Sequence, residues 1–108
     1  MTNLAKLADA LQELRALDPE MGTHTAMVFL TVAQAMPAGI TQHEVGIKLG
    51  MSTSTTQRNV KALTKHRGLE AGHDLIEVTI PRENGKMRLL RVSAKGKRIA
   101  AKLSKMLD

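Results

Sequence analysis

The chain has 108 residues, no cysteine, a single aromatic residue and a formal net charge of +6. Its length suits one domain with a modest aliphatic core. The lack of cysteine excludes disulfides, thiol catalysis and cysteine-based zinc sites, and the lack of aromatics excludes a stacking platform for single-stranded nucleic acid. The longest apolar run, residues 26–36, is too short to cross a bilayer, so we expect a soluble cytoplasmic protein.

Positive charge is concentrated in the second half of the chain. Residues 1–50 carry three basic and five acidic side chains, a balance of −2, whereas residues 51–108 carry 13 and five, a balance of +8. Between Arg82 and Lys105 there are nine Lys and Arg and one acid, Glu83. This distribution is typical of a surface that meets a polyanion, although a solvated basic face would have the same composition.

Two helices are predicted first. Leucines recur at intervals of three and four before Asp18-Pro19, at Leu4, Leu7, Leu11, Leu14 and Leu17. This narrow stripe suits a seam between two helices, and packing within its own domain is an equal alternative. Residues 23–36 are apolar on nearly every side and predict a central helix, which Pro37-Ala38-Gly39 ends.

A helix-turn-helix follows. Thr41-Gln42-His43-Glu44 has the sequence of a capping box and begins a short helix that ends at Leu49. Gly50 stands where a left-handed residue is needed after a helix. Ser52 caps a second helix, which we predict to run to about His66.

The pattern then changes to period two. After a loop over residues 67–74, Ile76, Val78 and Ile80 alternate with polar residues. On the other side of Asn84-Gly85, a second set alternates with Met87, Leu89 and Arg91, namely Arg88, Leu90 and Val92. If the apolar residues of both strands share a buried face, Ile80 pairs with Leu90, which requires a loop of three or five residues. A last helix, capped by Ser93, carries four apolar residues along one side: Ile99, Leu103, Met106 and Leu107.

This order of elements predicts a mainly α fold with a small β-hairpin, a winged helix-turn-helix. From about residue 25 to 105 the sequence resembles the DNA-binding core of the MarR family of bacterial regulators, in ITQHEVGIKLGMSTSTTQRNVKAL and IPRENGKMRLLRVSAKGKRIA. Thr56 and Asn59 stand where that family usually carries apolar core residues, which predicts a recognition helix that is seated less firmly or is rotated. We expect one winged-helix domain over residues 1–108, from a bacterial or phage cytoplasm.

The start of the second helix of the helix-turn-helix is rich in hydroxyls, which are poor residues for a helix interior. Short polar side chains let backbone N–H groups approach phosphate and can themselves contact base edges. Gln57 can bind adenine and Arg58 can bind guanine in a bidentate manner, and Lys61 and Lys65 suit phosphate. The predicted DNA contacts of this recognition helix are Ser52, Thr53, Ser54, Thr55, Gln57, Arg58, Lys61 and Lys65; a cap followed by ordinary polar surface is the alternative.

Three further sets of residues complete the prediction. Arg82, Lys86 and Arg88 lie on the hairpin, where a basic loop can enter the minor groove, and Arg82 is the residue most like the family's wing arginine. The start of the preceding helix is predicted to contact the DNA backbone through Thr41, Gln42 and His43. A homodimer is expected to pair the terminal helices, 1–18 and 94–107, through Leu4, Leu7, Leu11, Leu14, Ile99, Leu103, Met106 and Leu107.

Catalytic and metal chemistry find little support in the sequence. The four histidines, His24, His43, His66 and His73, are spread over four segments, and no nucleophile–base grouping or glycine-rich phosphate loop is present. We therefore expect no enzyme and no cofactor. The predicted partner is double-stranded DNA, bound by a homodimeric repressor; the alternatives are a protein-interaction module that docks on an acidic partner, and an architectural DNA binder with little sequence preference.

Overall fold

The computed structural model describes residues 2–67 and 70–108, and within them the chain forms five α-helices and five short strands. The helices are α1 (Thr2–Leu17), α2 (Thr23–Gln34), α3 (Gln42–Leu49), α4 (Thr53–Leu63) and α5 (Ala94–Leu107). The strands are β1 (Ile40–Thr41), β2 (His66–Arg67), β3 (Glu70–Ala71), β4 (Ile76–Thr79) and β5 (Leu89–Val92). The predicted fold class, mainly helical with a small β wing, is confirmed.

Helix α2 supplies the centre of the core. Val28, Phe29 and Val32 are completely buried, and α2 contacts α3, α4, α5 and β5. The prediction of a central helix is confirmed, although these neighbours leave Met27 and Leu30 more than one-third exposed. The helix also ends at Gln34, two residues earlier than predicted.

The helix-turn-helix is built by local caps, as predicted. The Thr41 hydroxyl accepts the Glu44 N–H at 3.1 Å, and the Glu44 carboxylate accepts the Thr41 N–H at 3.1 Å, which completes the capping box. Gly50 has a φ of +66°, a left-handed conformation that glycine adopts without steric cost. The Ser52 hydroxyl accepts the Thr55 N–H at 3.1 Å and begins α4.

The end of α4 differs from the prediction. The helix stops at Leu63 because Thr64 is extended (φ −80°, ψ 174°) and its hydroxyl donates to the Lys61 carbonyl at 2.7 Å. Lys65 therefore lies beyond the recognition helix. The predicted loop over residues 67–74 instead contains a ribbon in which β2 pairs with β3, and residues 68 and 69 of that loop lie outside the described residues.

The chain after this ribbon packs on the end of α4. The N–H groups of His73 and Leu75 donate to the carbonyls of Ala62 and Leu63, at 3.0 and 2.8 Å. These bonds satisfy carbonyls that the end of a helix would otherwise leave without partners.

The three-stranded antiparallel sheet has the order β1-β5-β4. Val78 pairs with Leu90, so residues 80–88 form a connection of nine residues between β4 and β5, called the wing loop below. The connection has an odd number of residues, as predicted, and Leu90 and Val92 are buried. The prediction that Val78 shares their buried face is wrong, because Val78 is 37% exposed and the buried residue of β4 is Ile76.

The predicted pairing of Ile80 with Leu90, and with it the loop of three or five residues, is wrong. The wing loop makes two successive turns, in which the Asn84 N–H donates to the Pro81 carbonyl and the Met87 N–H donates to the Asn84 carbonyl. These turns use residues that the predicted register placed in strands. Ile80 consequently lies outside the sheet and is 52% exposed. Strand β1, which pairs with β5 through Ile40 and Leu90, was missed.

Helices α1 and α5 pack against each other at one end of the molecule. Leu14 on α1 and Leu103 on α5 are each 4% exposed and belong to the core. Glu13 and Lys102 form an ion pair of 2.7 Å between the two helices. The prediction that Leu14 and Leu103 contact a second copy is wrong, because their own chain already buries both side chains.

Candidate nucleic-acid interface

Helix α3, the start of α4 and the wing loop line a single groove of about 650 Å³. His43 and Ile47 from α3, Thr53 from α4, and Lys86 and Arg88 from the wing loop all face this space. The first turn of the recognition helix and the cationic wing therefore lie on the same side of the molecule. A protein that places a helix in the major groove and a loop in the neighbouring minor groove requires this arrangement.

The outward side of α4 is the one that its sequence predicts. Thr56, Val60 and Leu63 are buried against the core. The exposed residues of the helix include Thr53, Ser54, Gln57, Arg58 and Lys61. One side of α4 thus packs on the core, and the other side exposes hydroxyl, amide and cationic groups to the solvent.

The five consecutive hydroxyl residues of the α4 start, 52–56, have different roles. Ser52 caps the helix, and its hydroxyl also donates to the half-buried Thr55 hydroxyl at 3.0 Å. Thr56 is 1% exposed and donates to the Ser52 carbonyl at 2.9 Å. Only Thr53 and Ser54 are both exposed and not needed for the cap. The alternative to DNA contact, a helix cap followed by ordinary polar surface, is therefore sufficient to explain the hydroxyls of Ser52 and Thr55.

A glycine brings α3 and α4 close together behind this turn. A Cβ atom on Gly46 would lie 3.0 Å from the Thr56 hydroxyl oxygen and 3.4 Å from the Met51 carbonyl oxygen. Gly46 is itself buried. The small residue at 46 and the compact threonine at 56 therefore set the distance between the two helices of the helix-turn-helix.

At the start of α3, most of the predicted backbone-contacting groups already have partners. The Thr41 hydroxyl donates to the Glu44 carboxylate at 2.8 Å, and the Gln42 N–H donates to the Arg88 carbonyl at 2.8 Å. The bonds from the Thr41 backbone and hydroxyl, together with the nearby His43 charge, lower the pKa of the Glu44 carboxyl below its usual value. Of the three residues predicted to contact the DNA backbone here, Thr41 is bonded within the cap, so the prediction now depends on the side chains of Gln42 and His43.

The wing loop carries two exposed cations and one that is folded back. Arg82 and Lys86 are exposed. Arg88 is half-buried, and its guanidinium donates to the Gly85 carbonyl at 3.1 Å and to the Met87 carbonyl at 3.3 Å. Arg88 thus stabilises the shape of the loop, which sequence reasoning did not anticipate.

Ile47 is a residue of the groove that sequence reasoning missed. Its side chain is 70% exposed, the highest value among the large exposed hydrophobic residues of the described chain, and it faces the same space as Thr53. The signal was its spacing, because Ile47 lies one helical turn after His43 and on the side of α3 opposite the buried Val45.

Metal-binding clusters and membrane-spanning helices are absent from the described residues. In residues 2–67 and 70–108, no three side chains among His, Cys, Asp and Glu come together as a metal site would require. His73 instead lies 3.4 Å from the Asp18 carboxylate. None of the helices described combines the length and the hydropathy that a membrane crossing demands.

Solved structures share this fold. The complex of Staphylococcus aureus MepR with DNA superimposes with a TM-score of 0.77 at 12% identity, over 96% of this chain and 77% of that chain. The PcaV transcriptional regulator of Streptomyces coelicolor gives 0.65 at 20% identity, over 95% and 70%. MarR gives 0.65 at 19% identity, over 93% and 71%.

At the level of sequence, no protein-family model and no curated protein matches the chain. The relationship is therefore one of fold. The chain has the winged-helix fold of the MarR-family regulators MepR, PcaV and MarR, and the resemblance seen in its sequence is confirmed at that level.

Proposed function

We propose that this protein is a non-enzymatic regulator of transcription that binds double-stranded DNA in a sequence-specific manner as a homodimer, and represses by occupying a promoter. One observation carries the proposal: the polar first turn of α4 and the cationic wing loop line the same groove. The similar fold of MepR, which was solved in complex with DNA, supports it.

The chemistry of α4 divides its exposed residues into two groups. Thr53, Ser54, Gln57 and Arg58 lie in the first half of the helix, the half that enters the major groove in helix-turn-helix proteins. Of these, Gln57 suits the N6 and N7 atoms of adenine, and Arg58 suits the O6 and N7 atoms of guanine. Lys61 lies further along the helix, where its ammonium group can bind a phosphate. The backbone of the first turn can also bind a phosphate, because the positive end of the helix dipole lies there.

The wing supplies the second contact. Arg82 and Lys86 are exposed on a loop beside the groove, and the negative potential of a narrow minor groove attracts such side chains. Arg88 is not assigned a DNA contact of its own, because its guanidinium is already bonded within the loop. Lys65, in the segment that follows α4, is proposed to contact a phosphate.

Dimerisation is proposed through the apolar residues that α1 and α5 leave uncovered. Leu4, Leu7 and Leu11 on α1 and Leu107 on α5 are each about half exposed. We call these four residues the leucine face; Ile99 and Met106 are half-buried and can contribute at its edge. A two-fold dimer doubles the length of DNA that is recognised, with half-sites about one helical turn apart.

The experiment compares Arg58→Ala with Lys61→Ala after selection of bound sequences from a random duplex pool. We expect Arg58→Ala to cost about 1–3 kcal/mol on the selected sequence and to relax the preference at one position. Lys61→Ala should weaken binding to all sequences alike and reduce the slope of log K against log salt by about 0.9. Lys97→Ala, an exposed lysine of α5, is the matched control.

The outcomes separate the alternatives. A pool without enrichment, together with equal effects of the two α4 variants, would indicate an architectural binder. Affinity for duplex DNA that neither depends on salt nor changes in either variant would contradict DNA binding by this face, and a stoichiometric protein partner would then favour the interaction module.

A further inference from the structure

A pair of hydrogen bonds joins α2 to the recognition helix. The Thr25 hydroxyl on α2 donates to the Asn59 side-chain oxygen on α4 at 2.6 Å. The Asn59 side-chain nitrogen donates in turn to the backbone carbonyl of Thr55 at 2.8 Å. Both bonds are partly buried, and we call them together the Thr25–Asn59 link.

The link lies within an otherwise apolar contact. Val28 on α2 and Val60 on α4 belong to the same buried core, and Asn59, the residue before Val60, is half-buried. A polar side chain there costs free energy unless its groups are bonded. Here the amide oxygen and nitrogen bond to two different helices, so Asn59 is satisfied without apolar packing.

Hydrogen bonds constrain an element differently from apolar contacts. Aliphatic surfaces tolerate small rotations of a helix, whereas a bond of 2.6 Å depends steeply on distance and angle. Side-chain tips lie roughly 5–6 Å from a helix axis, so a rotation of about 20° moves them by about 2 Å. A displacement of that size is enough to break a bidentate contact with a base.

The link ends in the turn that carries the proposed base contacts. Thr55 supplies the carbonyl that Asn59 bonds, and its hydroxyl accepts from Ser52 and lies 3.5 Å from the Arg58 guanidinium. Arg58 itself is the residue next to Asn59. The bonds from α2 thus reach the first turns of α4 directly.

We propose that Thr25 and Asn59 are positioning residues that fix the rotation of α4 about its axis and so determine which base sequence it prefers. Neither residue contacts DNA in this proposal. It rests on the proposed function of α4 as the recognition helix. It is an alternative to the sequence-based expectation that polar residues at 56 and 59 leave this helix less firmly seated or rotated, because the side chains of both are hydrogen-bonded.

The test uses substitutions that keep the shape of the side chains. Thr25→Val removes only the hydroxyl, and Asn59→Leu replaces the amide with an aliphatic group of similar size. The double variant Thr25→Val/Asn59→Leu replaces both partners by apolar groups, so it leaves no unsatisfied atom and should remain folded. Thr31→Val is the matched control, because Thr31 is a buried threonine of the same helix whose hydroxyl bonds only the Met27 carbonyl within α2.

The first measurement needs no DNA. Amide hydrogen exchange is followed over residues 53–60 in the full chain. We expect Thr25→Val to raise exchange in α4 about fivefold, in line with the loss of one hydrogen bond, and Thr31→Val to leave α4 unchanged. Equal rates of amide hydrogen exchange in α4 for the two variants would show that the link does not constrain the helix, independently of any result on DNA binding.

The second measurement is selection from a random duplex pool with the double variant. We expect about a tenfold loss of affinity for the sequence that the wild type selects, an altered preference at the bases next to Gln57 and Arg58, and non-specific affinity within twofold of the wild type. Selection of the wild-type sequence by the double variant would overturn the proposal. A wild type that selects no sequence would overturn the proposed function, while raised exchange in α4 would still support the link.

Discussion

The surface formed by α3, the start of α4 and the wing loop, called the groove face below, differs in chemistry from the leucine face, although both leave side chains uncovered. The α4 side of the groove face exposes Thr53, Ser54, Gln57 and Arg58, which are polar or charged. The leucine face, at the α1–α5 end of the molecule, exposes four leucines to about half of their area. Hydrogen-bond donors and cations bind a hydrated polyanion, whereas exposed aliphatic groups pack against a second apolar surface. This contrast supports the two different partners that we propose for the two faces.

Different interactions stabilise the helices that form each of the two faces. Capping bonds of Thr41 and Ser52 fix the helices of the groove face, and these bonds have definite directions. The α1–α5 pair depends on buried apolar residues such as Leu14 and Leu103, with the partly exposed Glu13–Lys102 ion pair between them. Such exposed pairs contribute little. Substitutions on the leucine face should therefore change association, and those on the groove face should change geometry.

The largest effect is expected from Leu7→Lys/Leu11→Lys. A dimer formed through the leucine face covers these side chains in both copies, and burial of their exposed halves is worth about 4 kcal/mol in total. The dissociation constant of the dimer should rise roughly a thousandfold. Sedimentation equilibrium measures this, and the free energy of unfolding of the protomer should change little because both side chains are already about half exposed.

Leu30→Lys provides the control for this experiment. Leu30 lies on α2, is not one of the four residues of the leucine face, and is 37% exposed. It should leave the dissociation constant as in the wild type. A wild type that stays monomeric at high concentration, or a double variant that associates as tightly as the wild type, would contradict the proposed role of the leucine face.

A smaller effect is expected where the sheet meets α5. A Cβ atom on Gly96 would lie 2.0 Å from the Leu75 carbonyl oxygen, a backbone atom that also accepts the Ser93 N–H at 2.9 Å. Gly96→Ala should therefore displace the first turn of α5 and lower the free energy of unfolding by about 3 kcal/mol. Urea unfolding measures the change.

Gly85→Ala is the matched control for Gly96→Ala. No atom lies within 4 Å of a Cβ on Gly85, which is exposed in the wing loop. Its unfolding should stay close to that of the wild type. Equal stabilities of the two variants would contradict the steric role of Gly96. Gly96 belongs to the second stretch of sequence that resembles the MarR family, and its close approach to the Leu75 carbonyl gives a physical reason for a glycine there.

Features that depend on neighbouring residues could be predicted from the sequence. The capping box of Thr41, the left-handed Gly50 and the caps at Ser52 and Ser93 each involve bonds within four residues, so the residue types alone indicate them. The outward side of α4 followed from helical spacing in the same way. These local signals were sufficient to place the helix-turn-helix and its exposed polar residues.

Features that depend on distant parts of the chain could not be predicted. The pairing of Val78 with Leu90 follows from two turns in the wing loop, and no side-chain pattern distinguishes this register from one shifted by two residues. A leucine stripe shows that one side of α1 is apolar, but not that α5 covers Leu14 and leaves Leu7 exposed. The Thr25–Asn59 link was also out of reach, since its partners are 34 residues apart.

The smallest effect concerns a single charge, the Glu44 carboxylate in the first turn of α3. The Thr41 N–H and hydroxyl bond the Glu44 carboxylate and lower its pKa in the folded state. A lowered folded pKa gives stability that is present above the unfolded pKa and is lost as the pH falls through the folded value. Glu44→Gln keeps an oxygen that can accept these bonds but cannot titrate, so its stability should fall less on acidification.

Urea unfolding at several pH values between neutral and acid compares Glu44→Gln with the wild type and with Glu83→Gln. The last variant removes the same charge from an exposed position on the wing loop, away from the Thr41 cap. We expect the two curves of stability against pH for the wild type and Glu83→Gln to run together, and the curve for Glu44→Gln to be flatter on the acid side. If Glu44→Gln followed the wild type throughout, the carboxylate would not be what holds the start of α3, and the Thr41 hydroxyl bond to the Glu44 N–H would be the effective cap.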